Sequence, residues 1–181
     1  MKLIYMKNIF AIFLLLFSFS SYAQMNVYGI NIEKRYNTFH ESKKMFGGLD
    51  DGIDIKLKEN SVFSSVSIRD SGNTIYYYVT EKKVMENSSF YFDKVKSYLQ
   101  KKIGNPIILS DEKGKIISIP SHILWKVEIN NQFYFFYLYL LGITSLHIYK
   151  STSEEIIDKH INESVESLWA YNNYNKVKWR K

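Results

Sequence analysis

Cysteine is absent, so the chain has no disulfide framework, no thiol nucleophile and no residue for N-terminal lipidation. Only two prolines occur, Pro106 and Pro120, and no proline-rich or low-complexity linker separates one part of the chain from another. The eight glycines form neither a phosphate-cradling loop nor a G-x-S-x-G nucleophile elbow. Long apolar runs are missing as well. Outside the N-terminal stretch, the run "FYFFYLYLL" at residues 133–141 would cover only about 13 Å as a helix, against a hydrocarbon layer of about 30 Å. A lipid-facing barrel would need apolar-out, polar-in alternation over at least about eight strands, a pattern the rest of the chain lacks. No transmembrane span is expected in the mature chain.

What is present begins with an address. Lys2 and Lys7 precede an apolar stretch over residues 9–17, and Ser21-Tyr22-Ala23 supplies small residues at −3 and −1. This is the layout of a secretory signal cleaved between Ala23 and Gln24, leaving a secreted or periplasmic protein. Residues 24–181 are long enough for one apolar core, on which an exported chain without crosslinks depends. Removing the leader removes two lysines and no acid, so the formal charge of +6 becomes milder. Such a surplus favours anionic surfaces without pointing to nucleic acid, and none is expected as a partner.

The strand signals are frequent. Ile53, Ile55 and Leu57 alternate with Asp54, Lys56 and Lys58, the period of a half-buried strand. A second strand over 62–69, with Val62, Val66 and Ile68 on one side, leads through the turn "RDSGNT" into "TIYYYVT". Residues 107–109 and 116–119 flank another hairpin turn, "SDEKGK". Phe92, Val95, Leu99 and Ile103 fall at helical spacing before Gly104 and Pro106. Thr152 and Glu155 have capping-box spacing ahead of the stripe Ile157, Ile161, Val165 and Leu168. Residues 33–46 read as a helix or as extended chain. The fold class is α+β: a single domain over residues 24–181, mainly antiparallel sheet, in meanders over 53–80 and 107–149. A central helix is expected over about 89–103 and a C-terminal helix over about 153–170.

Asn130-Asn131 suits a two-residue hairpin loop, which pairs Val127 with Tyr134 and Trp125 with Phe136. With Ile123 and Leu138 these form an apolar face. A three-residue loop at Leu140-Leu141-Gly142, with Gly142 left-handed, would add Leu146 and Ile148. The reverse face is mixed: Lys126 and Glu128 beside Phe133, Phe135, Tyr137 and Tyr139, then His147 and Tyr149. A one-residue slip would exchange the two sets. Leaving four aromatics wet would forgo about 6–12 kcal/mol, so either the last helix covers this face or it is a shelf for a partner.

No catalytic signature stands out, and neither a cofactor nor a metal site is expected. His40, His122, His147 and His160 lack ligand spacing. Asp50, Asp51 and Asp54 in "GLDDGID" fall short of a calcium loop and read as a solvated turn. Asn87-Ser88-Ser89 and Asn162-Glu163-Ser164 match the glycosylation sequon, which matters only in a eukaryotic secretory pathway. The tail carries Lys176, Lys178, Trp179, Arg180 and Lys181, either a frayed solvated end or a weak anchor on an anionic surface. The expectation is an exported, non-catalytic binding or interaction protein, of inhibitor or immunity type, whose partner is another exported or envelope protein. Two alternatives stand beside it: an envelope accessory protein using the basic tail, and an enzyme whose site assembles only in the fold.

Overall fold

The computed structural model describes residues 24–36, 52–58, 61–172 and 178–180. Those residues form eleven strands and three helices, an α+β fold built on antiparallel sheets. No helix among them is long and apolar enough to cross a membrane. The leader expected over residues 1–23 and most of the helix weighed for 33–46 lie outside the described residues. So do His40, Asp50, Asp51, Lys176 and Lys181. Residues 33–36 are turn and irregular chain rather than helix.

The chain divides into two units, residues 1–34 and 35–181. In the first, β1 (Asn26–Val27) and β2 (Ile30–Asn31) make a short hairpin. Tyr28 and Gly29 at its turn both have positive φ.

The second unit is organised by a six-stranded antiparallel sheet in the order β3-β4-β5-β10-β9-β8. One meander is β3 (Gly52–Lys56), β4 (Ser65–Arg69) and β5 (Thr74–Tyr78). The other is β8 (His122–Ile129), β9 (Gln132–Leu141) and β10 (Ile143–Ser151). Their last strands pair with each other, β5 against β10, so the two meanders close into one sheet. Strand β4 begins at Ser65, leaving Val62 outside it. The ladder from the upstream strand carries Val66 and Ile68 to full burial.

Asn130 and Asn131 both have positive φ, the requirement of the tight I′ hairpin. The pairing is Trp125 with Phe136 and Val127 with Tyr134, as the loop chemistry implies. At the next turn the ladder continues to Leu141 and Ile143, with Gly142 (φ 76°) alone at the apex. Leu146 therefore faces Leu138, and Ile148 faces Phe136, two residues from the pairing a three-residue loop would impose. Because two residues is a whole pleat, the face assignments survive the shift.

Helix α1 (Lys82–Glu86) leads into α2 (Ser88–Ile103), which packs on the apolar face. Phe92, Val95 and Leu99 are buried there, and the sheet contributes Trp125, Tyr134, Phe136, Leu138, Leu146 and Ile148. Both ends of α2 are tied to the sheet. Ser88 C=O accepts from Thr144 Oγ1 at 2.6 Å, and Gly104 C=O accepts from Trp125 Nε1 at 3.1 Å.

Helix α3 (Glu154–Asn172) packs on the opposite face. Its stripe Ile157, Ile161, Val165 and Leu168 meets Leu124 and Phe135 of the sheet. The turn into it is closed by Ser151 Oγ, which accepts from Ser153 N–H at 3.0 Å.

The expected second meander over 107–149 splits. β6 (Ile108–Ser110) and β7 (Ile116–Ile117) leave the main sheet and pair with β11 (Lys178–Arg180) in a small one, ordered β11-β6-β7. Pro106 and Pro120 flank β6 and β7, and a residue without an N–H interrupts any ladder. The basic tail is accordingly a strand over the residues described there, where neither reading of the sequence included pairing.

Candidate functional site

Register alone assembles the mixed face. Across the sheet, Asp54, Ser67, Tyr76, His147, Tyr137 and Leu124 lie opposite one another in a single row. A neighbouring row runs Thr74, Tyr149, Phe135 and Lys126, and on the other side Ser145, Tyr139 and His122 line up. Directly opposed residues share a face, so these rows are continuous on the α3 side.

Helix α3 covers only part of this surface. Phe135 is fully buried beneath it, while Phe133, Tyr137 and Tyr149 are half-buried at its margin. The helix covers Leu124 and Phe135, and a tyrosine–histidine shelf continues past it. Tyr76, Tyr139 and His147 are half-buried there, and Tyr78 at the rim is 38% exposed.

The shelf is knitted by ring contacts and hydrogen bonds. Tyr139 Oη and His147 Nε2 are 3.0 Å apart, and the Tyr76 ring meets the His147 ring edge-on with centroids 4.5 Å apart. His122 Nδ1 and Tyr137 Oη are 2.9 Å apart. His160, from α3, stacks on Tyr149 at 4.5 Å. The scattered histidines of the sequence therefore converge: three of the four sit among these tyrosines. Tyr76, Tyr78, Ser67 and His160 were not anticipated for this face. Alternation in "TIYYYVT" marks Tyr76 and Tyr78 as companions, but only the pairing of β5 with β10 brings them to His147.

Burial governs the electrostatics. It lowers the His147 imidazole to about 4, and lowers His122 as well. It raises the phenols of Tyr137, Tyr139 and Tyr149, with neighbouring tyrosines adding to the effect. At neutral pH His147 and these phenols are uncharged. Among the shelf's described neighbours the charged pair is Arg69 with Asp54, 3.3 Å apart. Arg69 lies across Gly52, where a Cβ would collide with its guanidinium. Each ring is hydrogen-bonded to a tyrosine hydroxyl, and among the described residues no carboxylate bonds to His147 or His122. The arrangement supplies ring faces and hydrogen-bonding groups rather than a poised acid or base. Among the described residues no three His, Asp or Glu side chains are grouped to hold a metal. The Ser67 hydroxyl, on the same row as Tyr76 and His147, is buried and has no hydrogen-bond partner among the described residues.

Comparison with family models, curated proteins and solved structures returns no match. The geometry alone therefore carries the functional reading.

Lys126 and Glu128 belong to a different place. They line a groove of about 370 Å³ at the far end of β8 and β9, with Phe133, Trp179, Glu154 and Pro106. Lys126 Nζ is held by Glu154 at 2.7 Å and by Asp158, and lies 5.4 Å from the Trp179 ring centroid. Trp179 sits opposite Leu109 in the small sheet and donates from Nε1 to Asn162 Oδ1 at 2.7 Å. Its half-buried ring packs against the α3 core cluster. Lys178 is exposed. The residues expected to form one surface are thus divided into a shelf (Tyr137, Tyr139, His147, Tyr149), a groove (Lys126, Glu128, Phe133) and a core position (Phe135), and Trp179 of the expected tail joins the groove.

Proposed function

We propose that the protein is an exported, non-catalytic binding protein whose tyrosine–histidine shelf engages another exported or envelope protein, in the manner of an inhibitor or immunity factor. The observation that carries this reading is the continuity of Tyr76, Tyr137, Tyr139, His147 and Tyr149 on one sheet face beyond the cover of α3. Aromatic residues dominate the centres of protein interfaces because a rigid ring buries much area at little entropic cost. The hydroxyls and imidazoles let such a surface bond to polar groups without placing a charge in the contact. Nucleic acid is disfavoured as a partner, since Arg69 is already matched by Asp54 and phosphate neutralisation needs free cations. Export rests on the layout of residues 1–23, and the predicted mature N-terminus is Gln24.

Affinity capture from the exported fraction tests the proposal. Replacing Tyr76 and Tyr139 together by alanine is expected to weaken a specific partner by about 2 kcal/mol or more, about thirty-fold in Kd. Lys178→Ala, on the exposed side of β11, should retain it. A partner held equally by wild type and by the double variant would contradict the shelf as the binding surface.

A further inference from the structure

The outer edge of β8 is open beside the groove. Ile129 and Gln132 close the Asn130-Asn131 hairpin, so the backbone groups of Val127 and Trp125 point toward β9. Those of Leu124, Lys126 and Glu128 then point away from it. Two bonds fit this alternation: Ile107 N–H donates to Leu124 C=O at 2.7 Å, and His122 N–H donates to Ile119 C=O at 3.0 Å. Beyond Ile107 the neighbouring segment turns off to pair with β7 and β11, and Pro106 has no N–H to offer. Among the described residues, no backbone group pairs with the outward N–H and C=O of Lys126 and Glu128. An edge with four unpaired backbone groups is a template for another strand.

We propose that this edge, from Lys126 to Glu128, is a strand-docking site for an extended, lysine- or arginine-bearing segment of a partner protein. The backbone of such a segment would complete the ladder, and alternate side chains would drop toward the groove. The groove selects for cations. Its own ammonium, Lys126, is already matched by Glu154 and Asp158, whereas the exposed Glu128 carboxylate has no ion pair among the described residues. Trp179 already takes the Lys126 ammonium against its ring, and Phe133 adds a second ring to the lining. This edge lies across the buried Phe135 from the shelf: Lys126 and Tyr149 flank that ring from opposite strands of one row. It stands or falls independently of the shelf reading.

The probes are two acetylated, amidated eight-residue peptides, one alternating threonine with lysine and one alternating threonine with glutamate. The lysine peptide should bind, slow hydrogen exchange at the Lys126 and Glu128 amides at least tenfold, and bind at least tenfold more tightly than the glutamate peptide. Glu128→Lys, at an exposed side chain, should weaken the lysine peptide at least tenfold while leaving the circular dichroism unchanged. Absence of amide protection in the wild-type protein, or equal binding of the two peptides, would overturn the proposal. So would a concentration-dependent dimer that protects the same amides without peptide, because the edge would then serve a second copy of this chain.

Discussion

Truncating Trp125 to alanine is expected to cost about 3–5 kcal/mol of folding free energy, read as a lower midpoint in urea. Trp125 is 1% exposed, pairs with the fully buried Phe136, and ties its indole N–H to the end of α2. The substitution therefore opens a cavity, removes a ring from the sheet–helix contact and leaves the Gly104 carbonyl without that donor. Against a typical domain stability of about 5–15 kcal/mol, the loss brings the chain close to unfolding. With no cysteine in the sequence, no crosslink offsets it. Phe136→Leu should cost less than Trp125→Ala, because it retains most of the volume and no polar group is stranded. Similar midpoints for Trp125→Ala and wild type would mean that the ring is not in the core.

Acid should destabilise the protein through its shelf. His147 titrates at about 4 in the fold because burial disfavours the imidazolium, whereas an unfolded histidine titrates near about 6.5. Between those values the unfolded chain binds the extra proton, so stability rises with pH across that window. The contribution is fully present above about pH 6.5, is lost progressively as pH falls to about 4, and amounts to on the order of 3 kcal/mol. His122, lowered by the same cause, acts in the same direction. The groups around His147 are Tyr76, Tyr137, Tyr139 and Tyr149, none of which supplies a negative charge at these pH values. His147→Phe should therefore flatten the pH dependence between 4 and 6.5, seen by thermal denaturation across a pH series. A slope unchanged from wild type would assign the acid sensitivity elsewhere.

The legible and illegible parts of this molecule separate by sequence distance. Asn130-Asn131 announces its own hairpin, and the pairing of Trp125 with Phe136 follows from counting outward. Gly142 marks the next turn, although its apex is tighter than the loop drawn from it; only the parity, and hence the choice of face, was readable. The stripe Phe92, Val95 and Leu99 ahead of Gly104 specifies α2 locally. What joins β5 to β10 is burial between segments some seventy residues apart, and no local pattern in either one names the other. The same holds for β11. Lys178, Trp179 and Arg180 look like a solvated tail until Leu109 is placed opposite the indole. Tyr76 joins the face for this reason only in the fold, whereas Phe135 lies on the face that the last helix is expected to cover, and the helix stripe meets it there.

The stretch Tyr76-Tyr77-Tyr78 carries the distinction between the two faces of the sheet in three consecutive residues. Tyr77 is fully buried on the α2 side, Tyr76 belongs to the shelf, and Tyr78 is exposed at its rim. Hydroxyl-radical footprinting of the native protein, resolved to single residues by mass spectrometry, reads that alternation directly. Oxidation of Tyr76, Tyr78 and Tyr139 is expected, with Tyr77 and Tyr134 protected until the protein unfolds. Oxidation of Tyr77 at the rate of its neighbours, or protection of Tyr76 and Tyr139, would mean that the shelf does not face solvent.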